Sequence, residues 1–586
     1  MAKRKISRLC LLVIWTGVAV LTASAQSFQV QCPASTITHP FHAVSSVDCS
    51  RNPTAPGCNN DEPTYNGATA FTTNEKGFAA PVADTVNGAI KCQQISGGDG
   101  FATMGDGTQT YLFSFGPLSG LKDMADGKPG TQFPSVFNTM APANLLPLKP
   151  GDPATQDGLM ANGYPSDISG FPLDTSVFNY NGAVGLASDR DAIADGLCAA
   201  PCLDGHVDPR QIMDVGVMNG NIPAPLMAID EDDEFFLTLT NVGMIMRPDL
   251  FEQHTVHFHG YPNASAFYDG VPDASVAINI GGSFTYYYLA PDAGTYFWHC
   301  HITPPEHLQM GMVGQIYVRP RQNRVNGSVA TALLNQQGDA RTACRRAGDG
   351  GTPTVAPGSA PPDILCSNPM PAVTTTETND TTKKYAYNDG DGSTRYDVEY
   401  PLQIHGFDPN FHFVGMTFNP EAFVDMKDKY FLLNGRSYPD TVTPGPLGTQ
   451  STDGVMHFSQ PLPAIINIPF GGRALLRISD LDVTEYQTLA SLGIPMQVIA
   501  LNAKLLRDQA GNNLAYKTNS ITLAGGESLD VILDASGIPA GTYYLYTPNL
   551  DHLSNDAENF GGLMTEVHVC SGGINGGNTF GNTCAN

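Results

Sequence analysis

The sequence predicts an all-β protein: two β-sandwich domains behind an irregular, disulfide-stapled N-terminal segment. Three observations carry this. Only 15% of the 586 residues are charged, while Gly (61) and Pro (44) are plentiful, which suits short strands and many turns. Short runs of Val, Ile, Tyr, Phe and Thr alternate with Gly, Pro and Asp. Two strand-rich blocks also share spaced motifs, as diverged copies of one fold would. At roughly 100–200 residues per domain, the length allows two to four domains.

Residues 1–25 read as an export signal. Lys3, Arg4, Lys5 and Arg8 precede an apolar run from Leu9 to Leu21, and Ala23-Ser24-Ala25 is a small-residue cleavage site. The apolar run is too short to span a bilayer, and no later segment is long enough. The expectation is an exported protein with no membrane span. The net charge of −26 argues against nucleic acid, whose binding needs a basic face.

Residues 26–95 hold four cysteines and no clear periodicity. Strand-like text begins at Phe101 and resumes from Asp214 to Arg319, around a Pro/Gly/Asn-rich insertion at about 117–210. The first domain is therefore placed at 96–320. Residues 321–395 read as a polar linker, 396–570 as the second domain and 571–586 as a Gly/Asn-rich tail. Gly281-Gly282 ahead of Gly294-Thr295-Tyr296 matches Gly525-Gly526 ahead of Gly541-Thr542-Tyr543. The acidic run Asp230-Glu231-Asp232-Asp233-Glu234 is read as a solvated strand edge rather than a cation site.

Twelve cysteines occur, and Cys10 leaves with the signal. The other eleven are Cys32, Cys49, Cys58, Cys92, Cys198, Cys202, Cys300, Cys344, Cys366, Cys570 and Cys584. An odd number in an oxidising compartment leaves at least one thiol unpaired. Sequence-near pairs such as Cys344–Cys366 and Cys570–Cys584 are expected among the rest.

The unpaired thiol finds a reason in two histidine strings. The first is His254-Thr255-Val256-His257-Phe258-His259-Gly260. The second is Trp298-His299-Cys300-His301, followed by His307, Met310 and Met312. Side chains alternate along a strand. His299 and His301 thus share one face and Cys300 takes the other; His257 and His259 share a face that His254 does not. If the strands are neighbours, one side collects His254 and Cys300, with His307 and Met312 arriving from the next loop. The other side collects four imidazoles. Two His, one thiolate and a weak Met are the donors of a blue (type 1) copper electron-transfer site. A lone core histidine is usually just hydrogen-bonded, but five in two alternating strings, with His307 following, are a different matter. Structural zinc usually recruits paired cysteines at short spacing, and these strings have none.

The strings resemble the multicopper oxidase family, through His-x-x-His-x-His-Gly and His-Cys-His, strongly over about 210–320 and weakly over 396–570. The resemblance implies cupredoxin-like Greek-key sandwiches and copper as cofactor. Type 1 copper would be held by His254, Cys300, His307 and Met312, and a type 2/type 3 cluster by His257, His259, His299 and His301. Asp269 matches a carboxylate that the family uses in proton supply, against the plainer reading of a turn residue before Gly270. Dioxygen and a reducing substrate, a phenol or a metal ion, would be the partners. A copper nitrite-reductase-like enzyme and a type 1 electron carrier are the alternatives.

The chain departs from the family pattern. A full cluster needs eight histidines and the strings supply four. Tyr546-Thr547-Pro548 stands where the second domain would repeat His-Cys-His, so that domain reads as metal-free. A homo-oligomer in which a neighbouring chain closes the site is the favoured source of the missing ligands; His39, His42, His405 and His412 are the other candidates.

Overall fold

The computed structural model describes most of residues 90–120, 220–324 and 384–575. Shorter pieces are described at 31–33, 124–137, 186–188, 203–207, 327–328, 378–379, 582 and 583–585. The expected export signal, most of the N-terminal segment, most of the 117–210 insertion and the expected Cys344–Cys366 pair lie outside the described residues. Among the described residues no helix is long and apolar enough to cross a membrane.

The protein is nearly all β. In the first domain, β1 (Ile90–Thr103), β2 (Gln109–Pro117), β4 (Glu234–Gly243) and β6 (Ser283–Leu289) make one sheet in the order β2-β1-β4-β6. The facing sheet runs β3-β8-β7-β5, from β3 (Met227–Asp230), β8 (Val313–Arg319), β7 (Gly294–His299) and β5 (His257–Phe258). The β1–β4 and β3–β8 pairs are parallel and the others antiparallel. Strand β1 begins at Ile90, ahead of the strand-like text at Phe101, because Ile90–Ile95 lies alongside Glu234–Leu239. The turn-rich composition before it conceals this pairing, which is made with residues far along the chain.

The second domain repeats the arrangement. Its first sheet contains β9 (Val398–Phe407), β10 (Tyr430–Leu433), β12 (Arg473–Asp480), β14 (Met496–Leu501), β15 (Lys504–Leu505) and β18 (Ser528–Asp534), in the order β10-β9-β12-β18-β14-β15, with β16 (Tyr516–Thr518) also on β14. Its second runs β11-β20-β19-β13-β17, from β11 (Ile466–Ile468), β13 (Gln487–Leu492), β17 (Ser520–Leu523), β19 (Gly541–Tyr546) and β20 (Met564–Val569). The parallel pairs recur, β9–β12 and β11–β20. Strand β19 thus occupies the place of β7, as the shared Gly-Thr-Tyr text predicts.

Each domain has its own core. Leu237, Phe284, Tyr286, Trp298 and Ile316 centre the first, and Leu402, Ile466, Leu476, Val531 and Leu545 the second. A third cluster, with Met104, Leu112, Ile222, Phe407, Tyr430 and Leu432, joins the domains. A buried ionic network does the same: Arg477 contacts Glu399 at 2.8 Å and Asp530 at 3.8 Å, and the Thr295 hydroxyl of β7 donates to Asp530.

Two sequence expectations change here. Residues 384–395, counted with the linker, pair Lys384–Tyr385 with Arg395–Tyr396 at the domain's start, bury Tyr385, and pack Tyr387 together with Tyr396 against the second domain. The acidic run is not a solvated edge. Asp230, Glu231, Asp233 and Glu234 are all buried, and three of these carboxylates face a named donor. Glu231 accepts from the Ala293 amide and Asn388, Asp233 from the Asp230 amide, and Glu234 from the Tyr287 hydroxyl.

Cys32–Cys92 is a disulfide that ties the N-terminal segment to β1, and Cys570–Cys584 pairs as the sequence suggests. Cys300 is buried and is a free thiol.

Candidate metal centre

The two strings are neighbours. His257 pairs with His299 across β5 and β7, so strand alternation sends alternate side chains to opposite faces of the same ladder. His254 lies just ahead of β5, bridged to Ile278 by two backbone hydrogen bonds. The loop after β7 turns into a short helix, α1 (Pro304–Gln309). Pro304 and Pro305 suit its first turn, where amide hydrogens lack partners, and α1 presents His307.

On one face, donor atoms of His254, Cys300 and His307 lie within 4.8 Å of one another, and all three residues are buried. The His307 Nδ1 is 3.2 Å from the Cys300 sulfur, which also accepts from the Thr255 amide at 3.4 Å. Gly97 leaves room for His254: a Cβ there would stand 2.5 Å from the ring. Met310 and Met312 are both buried beside this group, and the Cys300 amide donates to Met312 O. Burial alone would raise the Cys300 thiol, but the adjoining His307 carries it below its ordinary value. Burial would lower His307, but Cys300 and Glu252 outweigh this and push it up to about 9. Burial and the nearby His307 hold His254 well below the usual histidine value.

The other face gathers His257, His259 and His299, again with donor atoms within 4.8 Å. His301 adjoins them, its ring 4.9 Å from that of His257 and 5.4 Å from that of His299. The His257 Nδ1 donates to Asp269 O at 2.7 Å, and the His299 Nδ1 to Cys300 O at 2.6 Å. Each carbonyl fixes a tautomer whose Nε2 keeps its lone pair, the usual outer hydrogen bond of a metal-binding imidazole. The Nε2 atoms of His259 and His299 face each other at 2.9 Å. Burial lowers His257 and His299, and brings His259 down to about 4.

These donor sets fit metal ions. Neither ring nitrogen of the fully buried His254 has a hydrogen-bond partner. Such a group costs about 1–3 kcal/mol if left unsatisfied, and a cation between it, Cys300 and His307 would satisfy it. Thiolate with imidazoles suits copper, and neutral imidazoles alone suit copper equally.

Asp269 caps a 3-10 turn, Ala266–Tyr268, and its nearer carboxylate oxygen is 3.6 Å from the His257 Nδ1. Gly270 follows at φ +78°, where a Cβ would stand 1.9 Å from Val256 O. Asp269 therefore serves the turn and meets His257 at once.

His405 and His412 complete neither group. His405 donates from Nε2 to Leu308 O, and His412 sets its ring between Tyr111 O and Gln309 O. His39, His42 and His206 lie outside the residues whose side chains are described. Among the described residues the second domain adds no third group of metal-binding side chains. It reaches the inner imidazoles through a glycine turn: Gly526, at φ +88°, would place a Cβ 3.1 Å from the His259 ring. Sequence reasoning also missed Glu252, whose carboxylate lies 3.4 Å from the His307 Nε2. Its place two residues before His254 was the available signal.

Residues 204–323, the stretch that carries both groups, match the family model described as multicopper oxidase. The chain is 34% identical over 109 residues to laccase abr2 of Aspergillus fumigatus, covering 18% of this chain and 17% of that protein. It is 34% identical over 114 residues to a copper-containing nitrite reductase of Rhizobium meliloti, covering 19% of this chain and 27% of the relative. The chain thus matches well under a third of either relative's length. The blue copper oxidase from Nitrosomonas europaea superposes with a TM-score of 0.38 at 21% identity, covering 60% of this chain and 78% of the other. The fold assignment rests on the chain's own sheet order.

Proposed function

We propose that the chain is an exported copper-dependent oxidoreductase that takes single electrons from a phenolic or metal-ion donor and delivers them to dioxygen, forming water. Copper held by the two groups would supply the one-electron redox chemistry. The observation that carries this reading is that Cys300 belongs to one group while its neighbour His299 belongs to the other. One peptide unit and the hydrogen bond from the His299 ring to Cys300 O join the two faces by the shortest covalent path a strand allows.

The chain's own residues divide the work. His254, Cys300, His307 and Met312 form the outer site, with the His307 edge reaching toward the partly exposed Glu252, where a donor can approach. His257, His259, His299 and His301 form the inner site. Reduction of one dioxygen to two waters takes up four electrons and four protons, and Asp269, partly exposed beside His257, is placed to pass protons inward.

The inner site draws its remaining ligands from a neighbouring chain. One feature supports this. The face of β7 that carries Thr295, Phe297 and His299 is buried under the second domain, whereas the matching face of β19 is open, with Tyr544 37% exposed and its partner on the neighbouring strand β13, Leu492, 59% exposed. A surface covered in one domain and bare in its copy suits a head-to-tail ring.

The deciding experiment measures copper per chain, oxygen uptake and molar mass together. About four coppers per chain with oxygen uptake in an oligomer supports the proposal. Two coppers with nitrite turnover would favour the reductase alternative, for which the three-imidazole group His257, His259 and His299 is the supporting observation. One copper without oxygen uptake would leave an electron carrier.

A further inference from the structure

The geometry points to His405 and His412 of the second domain as positioning residues that clamp the ligand loop of the outer site, an inference that rests on the type 1 copper reading. Helix α1 is short, and the last carbonyls of any helix lack intrahelical donors. Here they lie between His307 and Met312, so their anchoring sets how the two ligands sit relative to each other.

The second domain meets this helix end at four points. His405 Nε2 donates to Leu308 O at 2.9 Å, and His412 Nε2 is 3.0 Å from Gln309 O. The Gln309 side chain donates to Asp428 at 3.0 Å and accepts from the Asp408 amide at 3.0 Å. His412 faces Tyr111 O in β2 with its other nitrogen, so its single N–H serves one of the two carbonyls while the ring lodges between the helix end and the first domain's own sheet. All the side chains named are buried. Inside the loop, the Met312 amide donates to His307 O at 2.8 Å and the Gly311 amide to Leu308 O at 3.0 Å. The turn from His307 to Met312 is therefore closed from within and pinned from the second domain. An axial thioether tunes a type 1 site by its distance, so releasing the pins alters the potential before it costs the metal.

The test compares His405→Leu and His412→Leu, which remove the donor, with His405→Gln and His412→Gln, which keep one. Arg477→Met loosens the same domain interface away from the loop and serves as control. In the Leu variants we expect parent-like copper content, a shifted outer-site potential and a changed blue absorption band. The Gln variants should return toward the parent, and Arg477→Met should lose stability with the band and potential unmoved. Leu variants that lose stability alone, at the parent potential and band, would overturn the clamp.

Amide exchange in the metal-free protein gives a second readout. The Met310 and Met312 amides should exchange roughly tenfold faster in the Leu variants, as expected for losing one hydrogen bond. If the parent shows no blue band with copper bound, the type 1 reading fails, and exchange still decides whether the loop is clamped. If His405→Leu does not fold, His405→Asn, whose shorter amide falls short of Leu308 O, serves in its place.

Discussion

Cys300 is where the chemistry concentrates. Its sulfur contacts His307 and the Thr255 amide, and the side chain is fully buried. Cys300→Ser should abolish the intense thiolate-to-copper absorption while leaving circular dichroism unchanged, because the sandwich core packs without the metal. Met312→Leu should keep the colour and shift the potential. If Met310→Leu does this instead, the axial assignment passes to Met310. Acid should act through the imidazoles. The unfolded chain protonates a histidine near pH 6.5, while His259 in the metal-free fold waits until about pH 4. A depressed histidine value means that the unfolded state binds more protons in this window. The stability held by a neutral His259 is therefore whole above about pH 6.5 and declines toward pH 4. A proton titration of the metal-free protein followed by NMR should place His259 well below free histidine; a value near 6.5 would contradict its burial.

Elements bring these residues together. Strand alternation splits the two strings between two faces, and this was readable from residue order alone, because a period of two needs no knowledge of neighbours. What the order could not reveal is which loops close over each face. Gly526 comes from the second domain, and its φ of +88° and its nearness to His259 make any side chain there strained and crowded against the ring. Gly526→Ala should cost roughly 1 kcal/mol from backbone strain and should also reduce copper uptake at the inner site. Equilibrium denaturation and metal analysis would check the two effects separately. Normal inner-site copper in this variant would show that the turn does not constrain His259. Helix α1 gives a similar lesson. Its prolines and His307 are plain in the sequence, but the histidines that pin its end stand about a hundred residues later.

In the whole molecule, the two sandwiches behave as one unit because charge is buried between them. Arg477 meets Glu399 and Asp530, and Thr295 of the first domain donates to Asp530. Breaking a buried ion pair from one side strands the remaining charge, at about 3–5 kcal/mol. Arg477→Ala should lower the unfolding free energy by that order, measured by chemical denaturation. A loss under about 1 kcal/mol would mean that the network is hydrated rather than buried.

The sequence by itself determined the all-β class, the repeated sandwich, the odd thiol and the division of histidines between two faces. All of these follow from local periodicity, composition and the count of cysteines. Tertiary structure decided the rest. It buried the acidic run that reads as a solvated edge, because Glu231, Asp233 and Glu234 find donors, some of them far along the chain. It turned His405 and His412 from candidate ligands into partners of carbonyls in α1 and β2. It also paired Cys32 with Cys92 across 60 residues. Each of these depends on which distant groups meet once the chain is folded, and no local pattern in the sequence encodes such a meeting.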